Sequence, residues 1–338
     1  MSTKPNLADL IDHIVIIVKE NHTFDNYFGT FPGAEGANLQ RAANPPPDDP
    51  DHRHQTWEQR AGDQKHKVQY VEGDIPAYFA LARQYTLCDH YFSEVAGPST
   101  PNHLMLICAD APIINNPHHH YRPSPKDSYK LHSMPMALER AGMTWANYGG
   151  YAFHYIKELA GHRFNHSSEL FVHHAAAGQL PAVSWLYAEG KPSLSEHPTQ
   201  NVTDGMKWTA DQIQAIVDGG LWERTVIFVT WDDWGGWSDH VAPDNVEQWN
   251  SKKAHNPADA HPEFNGQQFR YGSRVPCLVI SPYAKAVHIS KTVRSHISLI
   301  KFVQEFHGLR TIHARLKTAD DMMDCFDPTQ NPLPPPRL

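Results

Sequence analysis

Two short apolar runs, each followed at once by acidic residues, constrain the fold of this chain more than any other feature. Residues 11–18 (IDHIVIIV) and 225–230 (TVIFVT) are rich in β-branched side chains and are too short for core helices. Such runs are typical of parallel strands that are buried on both faces. Further strands are predicted at residues 143–148, 183–187 and 275–281, and helices at residues 75–85 and 296–306. This alternation predicts an α/β fold with a mostly parallel sheet.

The polar residues at the ends of the two runs form the first candidate site. Glu20 and Asn21 follow the first run, and Asp232 and Asp233 follow the second. Ligands of open α/β sheets bind beyond the carboxyl ends of the strands, so neighbouring strands would bring these side chains together. We therefore predict one divalent metal ion there; the oxygen ligands suit Ca²⁺, Mg²⁺ or Mn²⁺, while the 24 histidines keep Zn²⁺ open. The alternative is that each acidic residue is a helix cap or an ordinary loop residue.

The turn at residues 97–102 (GPSTPN) is the candidate for a nucleophile. It leads toward the apolar residues 104–107 and can expose the hydroxyl of Ser99 or Thr100 at a helix N-terminus. Such a terminus favours a phosphate group, and a nearby cation lowers the pKa of a hydroxyl. The alternative is a helix cap without chemistry.

Histidines near these segments are candidates for acid catalysis and phosphate binding. His197 lies in the SEHP loop after residues 183–187, and Asp239 and His240 lie just past the second acidic pair. Phosphoryl transfer needs donors for the phosphoryl oxygens and an acid for the leaving oxygen. A lone loop histidine is more often solvated, and the tracts at residues 118–120 and 173–174 are predicted to be surface residues.

Three tryptophans surround the second acidic pair, namely Trp231, Trp234 and Trp237. They are predicted either to form an apolar wall for a substrate or only to pack the loop. Two glycines between them permit a tight backbone bend.

Length and composition favour one globular domain over residues 1–338. The chain has 40% hydrophobic residues, which is enough for a substantial core. Residues 33–74 are rich in Pro, Asp and His and are predicted to form a long surface excursion, and residues 326–338 a Pro-rich tail.

Charge and segment patterns exclude several classes of protein. The formal net charge of −8 argues against nucleic-acid binding, which needs basic residues to neutralise phosphates. The four cysteines form no C-x-x-C pair, so neither a zinc cluster nor a disulfide framework is predicted. No signal peptide or transmembrane run is visible, so the protein is expected in the cytoplasm, or outside it if a leader was trimmed.

Five blocks of the sequence, in order, resemble one known family. ENHTFDNYFG at residues 20–29 resembles the ENRSFDHYFG signature of the bacterial phosphoesterase family, which contains phospholipases C and acid phosphatases. LARQYTLCDHYF with GPSTPNHL, then SEHP, TWDDWGGWSDHVAP and RVPCLVISPYA, are similar to further blocks of that family. The resemblance implies an alkaline-phosphatase-like three-layer α/β/α sandwich that hydrolyses phosphate esters through a covalent phosphoenzyme.

The resemblance also assigns roles to individual positions. Those that match the family's metal ligands are Glu20, Asn21, Asp232 and Asp233. Those that match its nucleophile, its phosphoryl-binding amide and a catalytic histidine are Ser99, Asn102 and His197. His54 matches a phosphate-contacting histidine, with His52 as the alternative, and His154 is a weaker match to a third. Asp239, His240 and Trp234 are weaker candidates for substrate binding.

Departures from the family pattern bear on the substrate. His22 and His103 replace residues that are usually arginine. The preferred prediction is a phospholipase C that cleaves a phospholipid diester, and the first alternative is an acid phosphatase that acts on monoesters. The second alternative is a non-catalytic protein on the same fold that binds an anion or a carbohydrate on its tryptophans.

Overall fold

The computed structural model describes residues 6–62, 65–117, 128–188 and 194–338. In chain order the strands are β1 (His13–Lys19), β2 (Gln40–Arg41), β3 (Val68–Gln69), β4 (Thr86–Cys88), β5 (Tyr91–Phe92), β6 (Trp145–Tyr148), β7 (Asn165–His166), β8 (Val183–Tyr187), β9 (Thr225–Trp231), β10 (Glu247–Gln248), β11 (Gln268–Arg270), β12 (Cys277–Ile280), β13 (His288–Ser290) and β14 (Arg294–Ser295). The α-helices are α1 (Leu7–Leu10), α2 (Phe24–Phe28), α3 (His54–Gln59), α4 (Pro76–Gln84), α5 (Ser99–Cys108), α6 (Met134–Arg140), α7 (Glu169–Ala176), α8 (Val202–Asp218) and α9 (His296–Phe306). The histidine tract at residues 118–120 lies outside the described residues.

An eight-stranded sheet runs through the described residues in the order β13-β4-β12-β9-β1-β8-β6-β7. β1 lies in its middle and pairs in parallel with both β8 and β9. β12 is antiparallel to β9 and β4, whereas the other neighbouring pairs are parallel. Residues 14–19 of β1 are buried, as is usual for a central strand that is covered on both faces.

Two groups of helices cover this sheet. α8 contacts both α4 and α7, whereas α5 contacts both α6 and α9. α8 begins after Asn201, whose side chain accepts hydrogen bonds from the backbone amides of Thr203 and Asp204. α9 begins after Ser295, which forms a capping box with Ser298. The expected three-layer α/β/α sandwich is confirmed. Within the described ranges, no helix has both the length and the apolar character needed to cross a membrane.

The predicted surface excursion and the predicted tail are both packed against the body of the protein. The excursion contains β2, β3 and α3, and Trp57 on α3 is buried. In the tail, the carbonyl oxygen of Leu333 accepts a hydrogen bond from Trp222 at 3.1 Å, and that of Pro334 accepts one from the Tyr85 hydroxyl at 2.7 Å. Apolar residues along most of the chain belong to one main core cluster. The single-domain organisation stays a prediction.

Candidate active site

The pairing of β1 with β9 brings the two predicted groups of acidic residues together. The last residues of the two strands, Lys19 and Trp231, are in register, so Glu20 and Asp232 follow at the same edge of the sheet. The backbone amide of Asn21 donates a hydrogen bond to Asp232 Oδ1 at 3.0 Å. Asn21 has a φ of +67°, a left-handed conformation that asparagine adopts more readily than most residues. Strand register and this turn therefore create the cluster that the sequence predicted.

Ser99 is the first residue of α5, and its hydroxyl lies at this cluster. Its Oγ donates a hydrogen bond to Asp233 Oδ2 at 2.9 Å and lies 3.5 Å from Asn21 Oδ1. The preceding turn requires Gly97, because a Cβ there would lie 2.6 Å from the carbonyl oxygen of Ile114. The first backbone amides of α5 have no partner within the helix and favour an anion. The structure thus places the predicted nucleophile beside two predicted metal ligands.

The three carboxyl groups at the strand ends differ in how readily they ionise. Burial and the negative charge of Asp232 raise the pKa values of Asp233 and Glu20. Burial also acts to raise the pKa of Asp232, but the hydrogen bond and charge of His103 outweigh it and lower this pKa to about 2. Ionising all three together is therefore costly unless a positive charge lies between them.

The donor atoms around this point fit a hard divalent cation. The residues that could hold it through oxygen are Glu20, Asn21, Ser99, Asp232 and Asp233. Carboxylate, amide and hydroxyl oxygens are the usual ligands of Ca²⁺ and Mg²⁺. In the described part of the chain, neither lysine nor arginine forms an ion pair with these carboxylates, and the only such partner is His103, 3.0 Å from Asp232.

Asn102 braces the turn that carries Ser99. Its Oδ1 accepts a hydrogen bond from the backbone amide of Val95 at 2.7 Å. Its Nδ2 donates to the carbonyl oxygens of Val95, Gly97 and Pro98 at 3.2, 3.3 and 3.0 Å. Both ends of the carboxamide thus form hydrogen bonds with the backbone and brace the turn, and the expected contact with a phosphoryl oxygen stays a prediction.

His54, which the sequence predicts to contact a phosphate, has protein partners at both ring nitrogens. It begins α3 and is fully buried. Its Nδ1 lies 2.6 Å from the carbonyl oxygen of Ala96, and its Nε2 lies 2.9 Å from Gln267 Oε1. Both ring nitrogens therefore already have protein partners, which makes His54 a structural residue of the loop that precedes Ser99.

The alternative residue, His52, lies beside the candidate site instead. Its Nε2 is 3.3 Å from Asn21 Nδ2, and its ring packs edge-on against His197 with 5.9 Å between ring centroids. Both histidines are partly exposed, and both act electrostatically on Glu20. The predicted catalytic histidine, His197, is therefore near the cluster, and His52 joins it there.

Two further histidines contact Asp232, and neither was assigned a role in the sequence analysis. Nε2 of His103 lies 3.0 Å from Asp232 Oδ2, and its ring stacks on Tyr187 at 5.2 Å. His296 Nε2 donates to the backbone carbonyl of Asp232 at 2.6 Å, and burial lowers the pKa of His296 to about 4. At position 103 the family usually has arginine, and this departure was the sequence signal that pointed to His103.

Asp239 and His240 belong to a second acidic cluster. Arg274 Nε donates to Asp239 Oδ1 at 2.8 Å, and Arg274 also pairs with Asp25 at 3.1 Å. His240 Nδ1 lies 2.7 Å from Asp25 Oδ2. Asp25, Asp239 and His240 offer ligand atoms within 4.8 Å of one another and could hold a metal ion, yet the guanidinium of Arg274 already supplies a positive charge there.

The remaining weaker candidates are separate from Ser99. Trp234 is buried and donates from Nε1 to the carbonyl oxygen of His52 at 2.8 Å, so it packs the loop. Together with Asp239 and His240 it lines a cavity of about 330 Å³. The side chain of His154 is exposed and forms no hydrogen bond or ion pair with another described residue.

The sandwich, with its ligand cluster at the strand ends and a hydroxyl at the start of a helix, has the alkaline-phosphatase-like fold. Human ectonucleotide pyrophosphatase/phosphodiesterase 5 superimposes with a TM-score of 0.55 at 10% identity, over 93% of this chain and 100% of that structure. The sequence model of the Phosphoesterase family matches residues 11–67 and 47–310. The chain belongs to this family, as the five sequence blocks predicted.

Its curated relatives include bacterial phospholipases C. The chain is 27% identical to a non-hemolytic phospholipase C of Pseudomonas aeruginosa, over 97% of this chain and 59% of the relative. It is 26% identical to phospholipase C B of Mycobacterium tuberculosis, over 96% of this chain and 79% of the relative. The chain thus spans about three fifths of the first relative's length. The expected class, the phosphoric ester hydrolases, is confirmed at the level of the family.

Proposed function

We propose that this protein is a divalent-metal-dependent phosphoric ester hydrolase of the phospholipase C type that acts through a phosphoserine at Ser99. One observation carries the proposal. Ser99 is the first residue of α5, and its hydroxyl donates a hydrogen bond to Asp233 at the sheet edge where β1 and β9 end. A hydroxyl with a carboxylate acceptor, placed where a helix terminus favours an anion, is suited to attack phosphorus.

The first chemical step is an in-line attack by Ser99. A bond forms between Oγ and phosphorus while the bond from phosphorus to the leaving oxygen breaks, and the proton of the Ser99 hydroxyl passes to its acceptor, Asp233 Oδ2. His197 donates a proton to that oxygen, with His52 beside it, and Asn102 keeps the turn of Ser99 rigid. In the second step a water attacks the phosphoserine and releases free Ser99 and the phosphate product.

A divalent cation is the expected cofactor of this site. Glu20, Asn21, Asp232 and Asp233 would hold it together with Ser99 Oγ. When bound, it would lower the pKa of the hydroxyl and neutralise charge on the phosphoryl group. The oxygen donors favour Ca²⁺, Mg²⁺ or Mn²⁺, and the neighbouring His52 and His103 leave Zn²⁺ open.

The proposed substrate is a phosphate diester of the phospholipid type, because both bacterial relatives are named phospholipases C. A phosphatase that acts on monoesters would use the same nucleophile and the same ligands. The two functions differ only in whether the site accepts a second ester group on phosphorus.

The test compares p-nitrophenylphosphorylcholine, a diester, with p-nitrophenyl phosphate, a monoester. Both are offered to the wild-type protein after removal of metal and after its return. We expect metal-dependent release of p-nitrophenol with the diester preferred, and a preference for the monoester would identify a phosphatase instead. Absence of hydrolysis with every cation would contradict the proposal.

Variants of the nucleophile turn sharpen this test. Ser99→Ala is expected to lose at least about 100-fold in kcat, because no other hydroxyl replaces the attacking atom. The matched control is Thr100→Ala, since Thr100 Oγ1 lies 3.0 Å from the hydroxyl of Tyr151 and not at the cluster. Near-wild-type turnover in Ser99→Ala, with an unchanged melting temperature, would exclude the phosphoserine.

A further inference from the structure

The carboxylate of Glu196 lies at the centre of a buried network behind the candidate site. Its Oε1 accepts a hydrogen bond from the Tyr78 hydroxyl at 2.6 Å and pairs with Lys19 Nζ at 3.3 Å. Its Oε2 accepts hydrogen bonds from the Tyr27 hydroxyl at 2.7 Å and from Trp231 Nε1 at 2.9 Å. All five side chains are buried. Glu196 therefore has its acceptor capacity filled by four protein donors and does not reach a substrate.

Three members of this network each precede a residue of the candidate site by one position. The pairs are Lys19 with Glu20, Trp231 with Asp232, and Glu196 with His197. Consecutive side chains of a strand point to opposite faces of the sheet. A contact that holds Lys19 or Trp231 on one face therefore also fixes the direction of the residue that follows it. A single carboxylate thus joins the two strands that supply the proposed ligands to the loop that supplies the proposed acid.

The backbone around Glu196 is fixed by separate contacts. The amide of Glu20 donates to the carbonyl oxygen of Ser195 at 3.0 Å, and His22 Nε2 lies 2.8 Å from the carbonyl oxygen of Glu196. Glu196 has a φ of +73°, a conformation that costs free energy for a residue with a side chain. A Cβ at Gly205 would lie only 2.2 Å from Glu196 Cγ, so α8 presses directly on this side chain. Several independent contacts therefore fix the position of Glu196.

We propose that Glu196 is a positioning residue that sets the mutual geometry of Glu20, Asp232 and His197. This role rests on the proposed function, in which these residues hold the cation and protonate the leaving oxygen. Groups that orient metal ligands from behind typically change metal affinity or activity by about 10- to 100-fold when removed. Small displacements of a catalytic group are also costly because reaction requires close alignment.

A test must separate this role from simple stabilisation of the fold. Glu196→Gln leaves Lys19 buried without its counter-charge, which by itself destabilises a protein. The double variant Lys19→Met/Glu196→Gln removes both charges at similar volume, a replacement that is often neutral for stability. We therefore expect the single variant to melt at a lower temperature and the double variant to recover most of that loss.

The decisive measurements are made on the double variant. Calorimetric titration with Mn²⁺ is expected to show an affinity about 10-fold weaker than that of the wild type, and kcat about 10-fold lower with a smaller change in KM. Misplacement of His197 adds a second signature. The loss in kcat should be larger for a diester with an alkyl alcohol as leaving group than for one with p-nitrophenol, because only the poor leaving group needs the acid.

The matched control is Glu247→Gln, a carboxylate that pairs with Arg315 and Lys253 outside the candidate site. It is expected to lower the melting temperature without changing Mn²⁺ affinity or the leaving-group dependence. A double variant that melts like the wild type and also matches it in Mn²⁺ affinity and kcat overturns the positioning role. A wild-type protein that neither binds Mn²⁺ nor cleaves either ester overturns the proposed function itself, and this role with it.

Discussion

The protein contains two clusters of buried carboxylates that differ in how their charge is balanced. At the strand ends, Asp232 has a histidine partner, and within the described residues neither Glu20 nor Asp233 pairs with a cationic side chain. In the second cluster the guanidinium of Arg274 pairs with both carboxylates, Asp25 and Asp239. In the first cluster, Glu20 and Asp233 thus have no cationic partner among the described side chains, whereas in the second cluster Arg274 supplies the positive charge.

This difference shows why acidic residues alone do not define a metal site. Both clusters lie in blocks that resemble the same family, and both contain carboxylates next to histidines. Among the described residues of the two clusters, a hydroxyl donates to a carboxylate only in the first, where Ser99 starts α5. Charge balance and an adjacent nucleophile separate a candidate catalytic centre from a structural ion-pair network.

The largest expected effect is that of Asp233→Asn. This change removes a proposed cation ligand and the acceptor of the Ser99 hydroxyl, so kcat/KM should fall by about 1,000-fold or more. Without cation, however, the variant should melt at a higher temperature than the wild type, because burial and the charge of Asp232 raise the pKa of Asp233 and disfavour its ionised form. Kinetics and thermal unfolding with a chelator check both outcomes. Retained activity would show that Asp233 is not part of the catalytic site.

Arg274→Met should destabilise the second cluster instead. Loss of the guanidinium leaves Asp25 and Asp239 buried without a counter-charge, at an expected cost of about 3 kcal/mol in the free energy of unfolding. Chemical denaturation measures this cost. The control is Arg224→Met, whose exposed pair with Asp12 should contribute little. Equal losses in the two variants would mean that the second cluster is not a charge-balanced network.

The smallest expected effect is on the pH dependence of stability. Glu20 and Asp233 have pKa values raised above their ordinary values of 4.5 and 3.8, so the folded state holds protons more tightly than the unfolded state. The contribution of these two groups to the stability of the cation-free protein should be largest below these ordinary values and be lost as the pH rises through the higher folded values. Saturating Mg²⁺ should abolish this decline. Melting curves across pH, with chelator or with Mg²⁺, measure this decline in stability. A decline of the same size in Asp233→Asn would mean that other groups cause it.

Much of the fold was predictable because its signals are local. The strand at residues 183–187 and the helix at residues 296–306 were predicted with the bounds that the structure has. The predicted strand at residues 275–281 is shorter and antiparallel, since sequence periodicity does not encode strand direction. Helix α8 was not predicted, although Asn201 supplies a typical N-cap and its buried face follows a helical period.

The site was predictable in part, and the contacts that the sequence did not predict have a common cause. His54 and His52 are two residues apart, and which of them faces the cluster depends on where α3 begins and packs. Asn102 has a residue type that is suited to phosphate binding. In the structure, however, both ends of its carboxamide form hydrogen bonds with the backbone of the preceding turn. The ion pair of Lys19 with Glu196 was not predicted, because the two residues lie far apart in the chain.

By itself, the sequence determined the buried strands, the acidic residues that follow β1 and β9, and the turn that starts a helix at Ser99. These depend on side-chain branching, hydrophobic run length and turn chemistry, which act between near neighbours in the chain. Only the tertiary structure decided that His52 joins His197, that Arg274 neutralises Asp25 and Asp239, and that Glu196 links β1 to β9. Such contacts depend on which distant segments share the same buried space, and no local pattern encodes that choice.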